Sequence, residues 1–140
     1  MNVARKIPRI LLAKIGLDGH SRGVYVVADG LRRAGMEVIY TGLRQLPSQV
    51  ARAAVEEDVD FIGISSMTGA HISAVKKLKT ELELLRAADI PIIIGGIIPD
   101  SDYALLKELG VSRIFSPGSE IAEIAAYIFS VMEELCGSRG

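Results

Sequence analysis

Residues 61–96 read FIGISSMTGAHISAVKKLKTELELLRAADIPIIIGG. Two short apolar runs, Phe61 to Ile64 and Ile92 to Ile94, enclose a longer segment in which Ile72, Val75, Leu78, Leu82 and Leu85 recur at three- and four-residue steps. Runs that are apolar at successive positions are those of strands covered on both faces, whereas the spaced residues form one apolar stripe on a helix facing the sheet. A strand, a helix and a second strand in this order make a βαβ unit with its two strands parallel.

Working outward, the same alternation continues. Ile10 to Ala13, Val38 to Tyr40 and Ile114 to Phe115 read as further strands, and Ile121, Ile124, Ile128, Met132 and Leu135 place a stripe on a last helix. Gly35 and Gly110 follow two of the helices, where a residue without a side chain takes a left-handed cap most easily. Pro47 suits the first turn of the second helix, because the hydrogen it lacks would be unpaired there in any case. Five strands and five helices result, and residues 1–140 are expected to be one domain with its core between about 7 and 135. The expected fold is α/β, a five-stranded parallel sheet of flavodoxin-like (Rossmann-type) order 2-1-3-4-5 with helices on both faces. That order sets the ligand crevice beyond the carboxyl ends of the first and third strands.

Composition narrows the function. The apolar fraction of 49% and charged fraction of 24% are ordinary for a globular chain, and no apolar run is long enough to span a bilayer. The apolar stretch behind Arg5, Lys6 and Arg9 ends at Lys14, too early for a secretory signal, so a cytoplasmic location is expected. A net charge of −1 with scattered basic residues argues against a nucleic-acid partner, and Lys76, Lys77 and Lys79 read as a solvated helix face. The single cysteine, Cys136, has no internal disulfide partner and no sign of activation.

The polar groups gather in the loops after the strands. The first strand runs into Lys14-Ile15-Gly16-Leu17-Asp18-Gly19-His20-Ser21-Arg22-Gly23, the third into Ser65-Ser66-Met67-Thr68-Gly69-Ala70-His71. The fourth ends in Gly95-Gly96-Ile97-Ile98-Pro99 and the fifth in Ser116-Pro117-Gly118-Ser119. Small residues along one rim let backbone approach a bulky ligand closely. Within the first loop, a histidine that binds a metal through one ring nitrogen usually donates the other to a carboxylate, a role within reach of Asp18 for His20, with Lys14 holding Asp18 in turn. Spacing alone leaves open that His20 only caps or packs a loop. One histidine is too few for a zinc centre held by protein alone, but suffices where a macrocycle supplies the other ligands.

Asp18-Gly19-His20-Ser21-Arg22-Gly23 resembles the Asp-x-His-x-x-Gly signature of cobalamin-binding domains. Almost the whole chain is similar to the cobalamin domain of the methylmalonyl-CoA mutase family, through Lys14-x-Gly16-x-Asp18, Ser65-Ser66 with Gly69-Ala70-His71, Gly95 to Pro99 and Phe115 to Ser119. The resemblance implies that the cofactor is held base-off, with His20 as the lower axial cobalt ligand, Asp18 its hydrogen-bond partner and Lys14 the partner of Asp18. Ser65, Gly95, Gly96, Gly118 and Ser119 are implied to line the slot for the nucleotide tail, and Gly19, Arg22 and Gly23 belong to the loop and helix start beneath the corrin. The chain departs from the commonest family form at Ser21, where aspartate is typical, and at Met67 and Thr68, where leucine and alanine are usual. His71 matches a family histidine but reads as part of the helix start.

The resemblance further implies an isomerase: the cobalamin-binding small subunit of an adenosylcobalamin-dependent acyl-CoA mutase of methylmalonyl-, isobutyryl- or 2-hydroxyisobutyryl-CoA type. No substrate-binding catalytic residue is expected on this chain, because the acyl-CoA belongs to a large subunit with a TIM barrel, a fold that typically needs about 250 residues, so a hetero-oligomer is expected. A corrinoid methyl carrier is the alternative, although such carriers generally place a helical bundle ahead of the signature and the first strand here starts near Ile7. A receiver domain is a third reading, and it would want a phosphorylatable aspartate where Ser65-Ser66 stands.

Overall fold

The computed structural model describes residues 7–14, 22–40, 46–66, 71–96, 98–115 and 120–139, with the side chains of Lys14, Arg22, Gly23, Val24, Ser66, His71 and residues 135–139 outside the description. Strands β1 (Arg9–Lys14), β2 (Glu37–Tyr40), β3 (Phe61–Ser66), β4 (Ile92–Gly96) and β5 (Val111–Phe115) alternate with helices α1 (Arg22–Arg33), α2 (Pro47–Glu56), α3 (His71–Leu84), α4 (Tyr103–Glu108) and α5 (Ile121–Arg139). The strands form one sheet in the order β2-β1-β3-β4-β5. Every pairing is parallel, as the expected topology requires.

Because side chains alternate along a strand, each strand feeds two cores. Leu11, Ala13, Ile62, Ile64, Ile92 and Ile94 pack with Val50, Ala51 and Ala54 of α2, Val75, Leu78 and Leu82 of α3, and Leu106 of α4. On the opposite face, Ile10, Leu12, Phe61, Ile93 and Phe115 meet Ala28 and Leu31 of α1 and Ile124, Ala125, Ile128 and Met132 of α5. The sheet is therefore covered by α2, α3 and α4 on one side and by α1 and α5 on the other. This explains why the central strands read as continuous apolar runs.

The element ends follow local chemistry. Gly35 (φ 102°) and Gly110 (φ 98°) both take the left-handed region expected of residues after a helix. Pro47 opens α2, where the Leu46 amide donates to the Gln49 Oε1 at 2.8 Å. At the amino ends of the strands, the Arg9 guanidinium donates to Glu37 at 2.7 Å and to the Glu57 carbonyl at 2.6 Å. The bond to Glu37 is the main reason that the Arg9 pKa is raised.

Three expectations are corrected. Leu85 does not continue the α3 stripe: the helix ends at Leu84, Arg86 turns the chain through φ 59°, and Leu85 is left 43% exposed while Ala87 takes the place against the sheet. Lys79 is not simply solvated, since its Nζ donates to the Ala88 carbonyl at 3.1 Å and so ties α3 to the turn before β4. Lys76 and Lys77 are exposed as expected. Lastly, β5 begins at Val111, three residues before its legible apolar pair, with a register shift opposite Ile92 and Ile93. Ser112 meets the Tyr127 hydroxyl, and the Arg113 guanidinium lies 5.2 Å from the Phe115 ring centroid and 5.1 Å from that of Tyr127. A polar, charged edge strand is a common guard against further strand pairing, and it is also one that hides the strand's period.

Among the described residues, no helix is long and apolar enough to cross a membrane. The side chains of Leu135 and Cys136 lie outside the description.

Candidate functional site

Parallel register, rather than sequence proximity, assembles the candidate site. Lys14 of β1 pairs with Ser65 of β3, Ser65 with Gly95 of β4, and Gly95 with Phe115 of β5. One rank thus crosses four strands at their carboxyl ends. Paired residues in a parallel sheet share a face, and Phe115 belongs to the core under α1 and α5, so Ser65 and Gly95 face that side too.

Strand pairing continues through residues that apolarity did not mark. β3 was expected to end at Ile64 and β4 at Ile94, yet Ser65 and Ser66 pair with Gly95 and Gly96. Hydrogen bonding between main chains is indifferent to side-chain polarity, so the ladder carries the small residues to the rim instead of leaving them in loops. A Cβ placed on Gly95 would meet, among the described residues, only the Phe115 carbonyl oxygen at 4.0 Å. The absence of a side chain there leaves room above the strand, and Gly96 then turns away at φ 139°.

The remaining candidates divide as follows. Arg22 is the first residue of α1 and Gly23 the second, so the backbone after the signature loop enters a helix directly beside β1. His71 is the first residue of α3, the helix-start position expected of it. Asp18, Gly19, His20, Ser21, Met67, Thr68, Gly118 and Ser119 lie outside the described residues. Among the described residues, no group of three or more His, Cys, Asp and Glu could hold a metal ion.

One pair was missed. Tyr40 closes β2, opposite Leu12 of β1, and its ring packs edge to face on Tyr25 of α1 with centroids 5.2 Å apart and planes at 73°. The Tyr40 hydroxyl is buried, and among the described residues it has no hydrogen-bond partner. Burial first, then the charge and the hydrogen-bonding reach of the nearby Tyr25 hydroxyl, raise the Tyr40 pKa, while the contact between the two hydroxyls falls short of full hydrogen-bond geometry. The only available signal was the identity of the residue: an aromatic with a polar tip ending the Val38–Tyr40 run at the ligand end of the sheet.

An open groove of about 350 Å³ lies elsewhere, between the start of α2 and α3, and is lined by Leu46, Pro47, Ser48, Lys76, Lys77, Thr80 and Glu81. It contains none of the candidate residues. The crevice at the carboxyl ends of the central strands remains the site that topology and residue chemistry share.

Comparison with known proteins assigns a family to this geometry. The family described as B12 binding domain matches residues 8–126. The small subunit of 2-hydroxyisobutanoyl-CoA mutase from Aquincola tertiaricarbonis is 47% identical over 106 residues, 76% of this chain and 78% of that protein. Human mitochondrial methylmalonyl-CoA mutase is 42% identical over 127 residues, 91% of this chain but 17% of its own length, so the chain spans only a minor part of that longer relative. A cobalamin-binding protein from Desulfitobacterium hafniense superposes with a TM-score of 0.74 at 18% identity, covering 87% of this chain and 58% of that one, a likeness of fold alone. From the family match over most of its length, the chain belongs to the B12 binding domain family.

Proposed function

We propose that this chain is the cobalamin-carrying small subunit of an adenosylcobalamin-dependent acyl-CoA mutase and works only with a large subunit that holds the acyl-CoA in a TIM barrel. The observation that carries the reading is the rank of small residues, Ser65 beside Gly95, facing α1 and α5 at the end of the sheet where β1 leads toward Asp18 and His20. The 47% identity to a mutase small subunit favours a separate subunit and acyl-CoA chemistry of the 2-hydroxyisobutyryl, isobutyryl or methylmalonyl type. A cytoplasmic location accords with this role.

The described residues fit a bulky cofactor with a narrow tail. Among the described residues, only the Phe115 carbonyl oxygen stands within 4.0 Å of a Cβ on Gly95, the neighbouring strand end carries the small hydroxyl of Ser65, and the buried Tyr40 hydroxyl, without a hydrogen-bond partner among those residues, lies to one side. When bound, the cofactor supplies the cobalt-carbon bond whose cleavage starts radical chemistry. The protein's part is to bind and orient. His20 would hold the cobalt in place of the cofactor's own dimethylbenzimidazole, Asp18 would accept the other imidazole N–H, and Lys14 would steady Asp18. Gly19, Arg22 and Gly23 would give the corrin room, while Ser65, Gly95, Gly96, Gly118 and Ser119 would border the tail.

Two measurements test the proposal. The purified chain mixed with adenosylcobalamin should show the base-off, histidine-ligated absorption spectrum, and turnover of an acyl-CoA should appear only after the large subunit is added. Turnover by this chain alone would contradict the division of labour. For the slot, Gly95→Val should leave the fold intact, because a Cβ there has only an ordinary contact at 4.0 Å among the described residues. Its methyl groups fill space the tail requires, and overfilling of this kind should weaken adenosylcobalamin binding by roughly 10- to 100-fold in a spectrophotometric titration. Wild-type affinity in this variant would remove Gly95 from the slot.

A further inference from the structure

We infer that the Tyr40 hydroxyl donates a hydrogen bond to bound cobalamin from the β2 side of the crevice, with Tyr25 holding the Tyr40 ring in place. The inference rests on the cofactor reading above and adds a binding residue to it.

Placement comes first. Tyr40 lies two residues after buried Val38, and both pack with the core under α1 and α5. Ser65 and Gly95 face that same side. The register sets Tyr40 against Leu12, two residues before the end of β1, so it stands beside the strand that leads into the Asp18–His20 loop. Tyr25 lies in the opening turns of α1, the helix that receives the same loop, and its ring fixes Tyr40 edge to face. The pair thus joins α1, which follows the loop, to β2, the neighbour of the strand that leads into it.

Chemistry comes second. A buried donor without an acceptor costs free energy, and folded proteins leave few such groups without a reason. Phenylalanine would keep the ring and its aromatic contact while omitting the unsatisfied group, so packing alone does not account for the hydroxyl. Burial, which favours the neutral form, keeps the phenol protonated and therefore a donor near neutral pH. Cobalamin offers oxygen acceptors of two sorts, the amides around its corrin rim and the phosphodiester of its nucleotide tail.

The test compares the wild-type full chain with Tyr40→Phe in titrations with adenosylcobalamin and with cobinamide, which lacks the nucleotide tail, alongside thermal melts without ligand. Tyr40→Phe should bind adenosylcobalamin roughly 3- to 10-fold more weakly, the range of one neutral hydrogen bond, while its ligand-free melting temperature stays level or rises. A matching loss for cobinamide assigns the bond to the corrin rim, and a loss confined to adenosylcobalamin assigns it to the tail; either supports the inference. Unchanged affinity in Tyr40→Phe, with the wild-type chain binding normally, overturns this inference and leaves the cofactor reading standing. Weaker binding accompanied by a lower ligand-free melting temperature also overturns it, because the hydroxyl would then serve the fold. A wild-type chain that takes up neither corrinoid overturns both readings.

Discussion

His20→Ala is expected to lower adenosylcobalamin affinity by more than about 100-fold and to leave any residual complex with the absorption spectrum of the free, base-on cofactor. The magnitude follows from position in the ligand chain: partners one shell out from a metal typically contribute about 10- to 100-fold, and His20 would be the direct ligand. Asp18→Asn, which leaves the imidazole in place but weakens its anchor, should fall within that 10- to 100-fold range. The two variants therefore form a graded series. Far-ultraviolet circular dichroism should be unchanged in both, since each substitution removes a polar group whose proposed partner is the cofactor or its ligand. A base-off, histidine-type spectrum persisting in His20→Ala would show that another group sits beneath the cobalt.

Phe61→Ala should cost about 3–5 kcal/mol of folding stability, read from the shift of the urea midpoint at constant slope. Phe61 is fully buried in the middle strand and pairs with Ile10 of β1, between the sheet and the α1 and α5 layer. Removing its ring leaves a cavity that strands fixed by pairing on both sides collapse into poorly. Set against a typical domain stability of about 5–15 kcal/mol, the loss would consume a large share and leave the chain partly unfolded at physiological temperature. Leu84→Ala is the control: at 72% exposure its truncation should change stability by no more than about 0.5 kcal/mol. Equal effects in the two variants would contradict the two-layer core.

Several elements were legible because burial on both faces imposes an apolar run. Ile62, Ile64, Ile92 and Ile94 could be nothing other than central strand, and Val75, Leu78 and Leu82 marked the side of α3 that meets the sheet. At the sheet edge, where a strand is paired with one neighbour only, the pattern faded. Arg113 in β5 stacks on rings at the sheet edge, so its charge broke the run that would have announced the strand. Leu85 failed for a different reason: a left-handed turn at Arg86 ends the helix, and nothing apolar or polar in the neighbouring residues signals that turn.

For the site, residue types and spacing offered His20 as a metal ligand with Asp18 behind it but equally allowed a structural role for the loop. The resemblance to cobalamin-binding domains, carried by separated motifs from Lys14 to Ser119, supplied the chemistry. Only the tertiary structure decided which of these residues share a face. Ser65 and Gly95 stand side by side because parallel pairing sets their register, and Tyr40 joins their side of the sheet because side chains alternate along β2. Register and facing arise from contacts between segments far apart in the chain, which no local pattern encodes.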